Sequence, residues 1–497
     1  MQGNTPILNS KWSASFFAVI VAYYFFRVSD WFFFFDDIVF LHHVIHTPFF
    51  ELLLPEHYFY HYRPLSQYGY FKLCYLLFGL NPLGYYLFNL SLLLLNLWVI
   101  DKIFTALGID KIYITLVCLM MAASLSFYRN LIWLSNSQHI IPFLFIALTI
   151  YFEVLWNHKR KWIYKILGVM SFVLGLFSNF TTLLAIPLIG IVHLFFLCLE
   201  ENRFSVGYYV RLLFTLSPYL ILFAAFYWFY SDTTAYKNYQ VLLNDKNSIY
   251  YAEFSVDQAF TTLEAYGKDI LPSNEVILII IPLIMIFSIV VFVKDFLAKK
   301  KQNNQLKMNI FFILWVVITI FMLLFFKYRR AENLVFLAAI GIYFLLITNI
   351  IGFILKLRIS DKNKKIWINI MMILILGTHF LFSYKKVSPE NDELLALGFG
   401  GQNNERAIQQ IRYLVDFYLE DKKVIYLASY EKYLSKAEDY TDYALISLGY
   451  GKFAEVFLRD IEIEFVLVAD NIDERVNNLK ESEAILFYDN ECNFFLK

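Results

Sequence analysis

A polytopic all-α membrane protein of about eleven crossings, followed by a small soluble α/β segment, is the fold class this sequence predicts. Three observations predict it. Of 497 residues, 59% are hydrophobic and 20% aromatic, and the mean hydropathy is +0.55. Only 17% are charged, against about 25% in an ordinary soluble chain. Several uncharged runs reach the roughly 20 residues that an α-helix, rising about 1.5 Å per residue, needs to cross hydrocarbon. From about residue 386 these runs give way to shorter apolar segments among charged residues.

Taken in order, spans are expected near 13–35, 83–100, 112–127, 139–156, 162–178, 180–199, 209–230, 275–294, 309–326, 333–355 and 366–384. No small-residue cleavage site follows the first apolar run, which is therefore read as an uncleaved span. Lysine and arginine in short loops set the orientation. With the N-terminus inside, inner loops carry Lys102 and Lys111, then Lys159, Arg160, Lys161 and Lys165. Later inner loops carry Lys299, Lys300, Lys301 and Lys307, and then Lys356, Arg358, Lys362, Lys364 and Lys365. The outer turns are poorer in basic residues, except for Lys327-Tyr328-Arg329-Arg330. A basic cluster on the side that the charge rule disfavours points to an anionic ligand.

The apolar stretch 65–80 is short and interrupted by Lys72. Counting it as a crossing would invert every later loop. Residues 38–80 are therefore read as interfacial helices on the outer face, within a first outer loop of 36–82. A second long outer loop covers 231–273. Residues 1–385 form the transmembrane domain. In 386–497, an amphipathic helix (Ile408, Ile411, Val415, Tyr418) and strands at Val424–Leu427, Ile463–Val468 and Ala484–Tyr488 predict a small α/β domain on the outer side.

Composition excludes some classes. Forty-two basic and forty-two acidic residues cancel, so nothing marks nucleic acid as a partner. Cys74, Cys118, Cys198 and Cys492 are scattered, without disulfide or zinc spacing. The aromatic excess fits interface belts and lipid-facing positions and needs no cofactor.

Chemistry concentrates in the first outer loop. Asp36 and Asp37 stand directly after Phe32–Phe35, where charge at a membrane face is costly and usually has a use. Such a pair either takes a proton from an acceptor hydroxyl or holds a divalent cation (Mg or Mn), for which Asp37 is the candidate ligand. Arg63 follows, its guanidinium suited to gripping a phosphate, and Pro64 fixes where it points. Arg329 and Arg330 are candidates for the same task. The plainer readings are a solvated helix-ending loop for the aspartates and interfacial snorkelling for the arginines. His42 and His46, like His57 and His61, are four apart and can share a helix face. No cysteine or zinc spacing accompanies them, so they are read as part of the interfacial belt. Tyr62, Gln138 and His139 are candidate substrate contacts, the last two in a polar cluster with Asn136 at the outer end of the fourth span.

Together these residues resemble the GT-C glycosyltransferases, membrane enzymes that use lipid-linked sugars, such as protein O-mannosyltransferases and aminoarabinose lipid A transferases. The family's acidic pair in the first outer loop is matched by Asp36-Asp37. A following segment is matched by Tyr62-Arg63-Pro64-Leu65, and then by Phe78-Gly79-Leu80-Asn81-Pro82 and onward to Leu90. Trp133-Leu134-Ser135 with Gln138-His139 is similar to a further outer-loop pattern. The resemblance is strong over 30–100 and rests on topology elsewhere in 12–385. Two positions depart from it. Ser178-Asn179-Phe180 stands where many relatives have Ser-Lys-Glu, and Asn96 where many have histidine.

The resemblance implies a polyprenyl-phosphate sugar donor, with a protein, lipid or glycan acceptor on the outer face. A composition rich in Phe, Ile, Lys and Asn suggests a bacterium, and the loop charges place the chain as a multi-pass protein of its inner membrane, with its N-terminus cytoplasmic and its C-terminal domain outside. Single inverting displacement needs one base and one phosphate contact, roles open to Asp36 or Asp37 and to Arg63. The competing classes are a flippase or transporter of lipid-linked sugars, and a surface-polysaccharide polymerase or ligase. A transporter should show internal repeats and helices broken at the midplane, and neither is evident in the sequence.

Overall fold

The computed structural model describes residues 36–58, 61–199, 206–244, 304–321, 336–357, 360–386, 409–414, 424–429, 464–468, 479–480, 482–488 and 494–496, with shorter pieces at 18–26, at 33 and between 255 and 290, and residue 456. Thirteen helices are named here in chain order. They are α1 (Asp36–His46), α2 (Tyr70–Phe78), α3 (Pro82–Ala106), α4 (Lys111–Ala122), α5 (Leu125–Ile132), α6 (Ser137–Lys159) and α7 (Trp162–Leu176). After these come α8 (Ala185–Leu199), α9 (Val206–Ser231), α10 (Thr234–Asn244), α11 (Asn304–Phe321), α12 (Phe336–Lys356) and α13 (Asp361–Lys386).

Among the described residues, four helical stretches are long and apolar enough to cross a membrane: Pro82–Ala106, Leu134–Lys159, Leu212–Ser231 and Phe336–Leu355. Trp162–Leu176, Phe180–Phe196 and Leu306–Phe321 are apolar but shorter. The expected spans near 13–35 and 275–294 lie mostly outside the described residues. The expected span 112–127 is a bent pair, Lys111–Ala122 and Ser126–Ile132, with a 51° break. Its cause is local. The Ser124 hydroxyl accepts the Phe127 N–H at 3.1 Å and so caps a new helix inside the apolar run.

The stretch 65–80 holds a wide helical turn, Leu65–Gly69, that runs directly into the nine-residue α2. The Lys72 ammonium donates to the carbonyls of Val44 and Thr47 (3.1 Å), closing the C-terminal end of α1. Gly79 then turns the chain with φ +60°, and Asn81 caps α3 by accepting the Leu83 N–H at 3.1 Å.

The core is a helical bundle. Helix α6 packs along α7 and α3, α11 packs along α12, and α12 packs against α4. Phe104 of α3, Phe312 of α11 and Phe344 of α12 bring three helices together through their rings. Phe312 and Phe344 stack at 4.2 Å, and Phe104 meets Phe344 at 4.6 Å. Gly341 admits this approach, because a Cβ there would lie 2.7 Å from Val316 Cγ2. In the C-terminal part, β1 (Val424–Ser429), β2 (Glu464–Val468), β3 (Glu483–Tyr488) and β4 (Phe494–Leu496) form one sheet of order β2-β1-β3-β4. The first three are mutually parallel and β4 is antiparallel. Parallel neighbours need crossover connections rather than tight hairpins.

Candidate active site

Successive residues on a helix point about 100° apart, and this separates the two aspartates. Asp37 is fully buried. Its Oδ1 accepts two hydrogen bonds from Ser135, one from the backbone N–H at 2.8 Å and one from the hydroxyl at 2.6 Å. Two donors on one oxygen suit an ionised carboxylate. Asp36, on the neighbouring face, is only half-buried. The apolar packing around it still withholds enough water to push its carboxyl up to about 7.

A second strand of interactions starts at Arg63. It is 8% exposed, and its Nη1 donates to Gln138 Oε1 at 2.5 Å. Pro64 and the five residues after it form a wide π-type turn, Leu65–Gly69, in which the Gly69 N–H reaches back to the Pro64 carbonyl at 2.7 Å. A Cβ on Gly69 would stand 2.7 Å from that carbonyl oxygen, so the turn requires glycine there.

The two strands meet at the N-terminus of α6. The turn Leu134–Asn136 leads into Ser137, so Ser135 holds Asp37 while Gln138, three residues on, holds Arg63. The same knot takes in the end of α7. The Leu65 N–H donates to the Phe177 carbonyl at 3.2 Å, and the Ser66 hydroxyl donates to the Ser178 carbonyl at 2.5 Å. The Ser137 hydroxyl donates to the Ser66 carbonyl at 2.7 Å, and Asn179 Nδ2 donates to the Gln138 carbonyl at 3.0 Å. Helix α5 closes the back of the turn, with Asn136 Nδ2 donating to the Arg129 carbonyl at 3.1 Å.

The other sequence candidates fall as follows. The Tyr62 hydroxyl donates to the Leu53 carbonyl at 2.8 Å, and its ring packs edge-on against Tyr58 and Phe229. Its visible contacts thus belong to the protein, and burial pushes its phenol up to about 12. Gln138, read as a substrate contact, is turned toward Arg63. His139 is buried beside Phe143, which stacks on Phe336 of α12. Arg329 and Arg330 lie outside the described residues. His42 and His46 pack ring to ring at 4.8 Å, and His61 meets Tyr239 of α10 at 4.6 Å. Among the described residues, no three His, Cys, Asp or Glu side chains gather to hold a metal, around Asp37 or elsewhere.

Sequence reasoning missed Ser135 as the partner of Asp37. It stood inside a quoted pattern, but a serine near a helix start is more often a cap, and 98 residues separate it from Asp37. Serine-to-alanine replacement at Ser135 removes one of two donors to a buried carboxylate. A hydrogen bond to a charged group contributes about 1.5–3 kcal/mol. The expected result is a lower thermal midpoint in detergent, measured by intrinsic fluorescence. An unchanged midpoint would show that the hydroxyl does not hold Asp37.

Helices apolar and long enough to cross a membrane, with a polar knot that ties Asp37 and Arg63 to the start of α6, are the features of an integral membrane protein. This fold has a match among solved structures. ArnT from Cupriavidus metallidurans, solved bound to undecaprenyl phosphate, is similar over 97% of this chain and 93% of its own. The TM-score is 0.50 and the identity 12%. Two further structures are similar at lower scores. The Archaeoglobus fulgidus oligosaccharyltransferase aligns over 95% of this chain and 67% of its own, with TM-score 0.48 and 10% identity. The arabinofuranosyltransferase AftD from Mycobacteria aligns over 84% and 29%, with TM-score 0.41 and 13% identity. No family model matches the sequence, and no curated protein matches it at the level of sequence.

Proposed function

We propose that this protein is a membrane glycosyltransferase that moves a sugar from a polyprenyl-phosphate donor to an acceptor hydroxyl on the outer face. The observation that carries this reading is the anchoring of Asp37 and Arg63 on one turn, three residues apart. That arrangement supports an acid-base pair of aspartates beside a phosphate-gripping guanidinium. The GT-C fold and the lipid phosphate named with ArnT favour the donor class.

In this reading, Asp36 is the base. Its carboxyl, held near 7, is matched to proton transfer at neutral pH. It takes the acceptor hydroxyl's proton as the acceptor oxygen forms a bond to the anomeric carbon. The bond from that carbon to the phosphate oxygen breaks, and polyprenyl phosphate leaves with the electron pair. Arg63 meets the charge that grows on the leaving phosphate. Asp37 fixes α1 to Ser135. Configuration inverts in one displacement, with no second carboxylate as nucleophile. About eleven spans, an inside N-terminus, an outer C-terminal α/β domain and a bacterial inner membrane belong to the same reading. Arg329 and Arg330 keep their proposed share in binding phosphate.

Purified protein incubated with a labelled polyprenyl-phosphate sugar and candidate acceptors tests it. Released polyprenyl phosphate with label gained by an acceptor is the expected result. Label crossing vesicle membranes with no bond cleaved would overturn it in favour of a flippase.

A further inference from the structure

A second buried polar set lies far from this site. Glu153 of α6 is fully buried, and Lys165 of α7 is 8% exposed. The Lys165 ammonium meets Glu153 Oε1 at 2.6 Å and donates to the Thr215 carbonyl of α9 at 2.9 Å. The Tyr219 hydroxyl of α9 donates to the same Oε1, and the Lys165 ammonium lies 4.6 Å from the Tyr219 ring centroid. Asn157 Nδ2 donates to the Glu153 carbonyl at 3.1 Å and lies 3.1 Å from His193 Nε2 of α8. Arg160, in the left-handed region at φ +52°, folds α6 back onto α7 and brings the pair together.

Charges inside a membrane bundle are costly, and a buried ion pair is by itself weak support for stability. What marks this set is the identity of the helices it joins. Glu153 belongs to α6, whose other end begins with Ser137 and Gln138. Lys165 belongs to α7, whose other end runs into Phe177–Asn179. Thr215 and Tyr219 belong to α9, whose Phe229 ring packs 5.8 Å from the ring of Tyr62, the residue next to Arg63. The three clasped helices are thus three that surround Arg63. Fifteen residues of α6 separate Gln138 from Glu153, about 22 Å of rigid rod.

We propose that Glu153, Lys165 and Tyr219 position Arg63 by fixing how α6, α7 and α9 lie against one another. The donor-binding part of this inference rests on the reading given under Proposed function. Glu153 sets the rotation and depth of α6, and the two partners transfer that setting to α7 and α9. Gly168 is part of the device, because a Cβ there would stand 3.0 Å from the Tyr219 hydroxyl and press on it.

Spin labels on non-natural amino acids at Leu174 and Trp228, exposed residues near the outer ends of α7 and α9, test this. Tyr219→Phe and Gly168→Ala are compared with the parent protein in nanodiscs. The expected result is a distance distribution that shifts or broadens by about 1–2 Å. Affinity of the folded protein for undecaprenyl phosphate is expected to fall about tenfold in both variants. An unchanged distance distribution in both variants overturns the proposal. So does a lower thermal midpoint with unaltered affinity in the folded fraction, which marks a merely stabilising pair. If the parent protein binds no undecaprenyl phosphate, the donor reading fails instead, and the distance measurement alone decides the clasp.

Discussion

Replacing Asp36 with asparagine is expected to cut sugar transfer by about 10²–10⁴-fold, the usual contribution of a positioned general base. Asparagine keeps the size and polarity of the side chain but cannot accept the proton of an attacking hydroxyl. Folding should persist, because Asp36 is half-buried and the carboxylate that ties α1 to the rest of the site is Asp37. The pH profile gives an independent check. A base works only when ionised, and burial pushes this carboxyl up to about 7. Transfer should therefore rise as pH increases through 7, and fall about tenfold per pH unit well below it. Asp37→Asn should be milder, since an amide oxygen still accepts from Ser135. Initial rates of both variants across pH 5–9 settle the roles. Full activity in Asp36→Asn, or a profile without the acid limb, removes Asp36 from the base position.

Arg63→Gln is expected to lower kcat by about 10²–10³-fold, the range seen when one preorganised donor to a developing charge is lost. The guanidinium is buried and aimed by Gln138, so little reorganisation is needed at the moment of reaction. Arg63→Lys keeps the charge but loses the planar fork and should recover only part of the rate. Single-turnover rates with saturating donor check this. Equal kcat in the parent and in Arg63→Gln would place the arginine outside the chemistry.

These two residues were legible from the sequence for a physical reason. A charge that interrupts or bounds an apolar run stands out against its background, and Asp36, Asp37 and Arg63 all do so. Three of the four C-terminal strands stood out in the same way, as short apolar runs among charges. The turn that joins Asp37 to Arg63 was visible only as a polar cluster. Which hydroxyl meets which carboxylate depends on a fold that closes 98 residues of chain, and no spacing encodes that. Gln138 was read toward the substrate for the same reason, and its observed partner is Arg63.

Local rules also decided two departures. Ser124 sits in an apolar run long enough to read as one span, yet its hydroxyl starts a new helix and bends the run by 51°. Lys165 reads in the sequence as one more cation of a basic inner loop. In the fold it lies inside α7, paired with Glu153 and withdrawn from water. A lysine's place in a chain fixes its formal charge but not whether that charge faces a lipid headgroup.

The wide turn at Leu65–Gly69 has a consequence for how this region can vary. It holds one residue more per revolution than an ordinary helix. Deleting any single residue from it would let the backbone relax into regular geometry and swing the preceding guanidinium by about 100° around the axis. Changes of length between Arg63 and α2 should therefore move the guanidinium, whereas conservative changes of side chain, outside Gly69 and the hydrogen-bonded Ser66, should leave it in place. Yields of correctly folded, active protein across a set of one-residue deletions and insertions read that asymmetry directly.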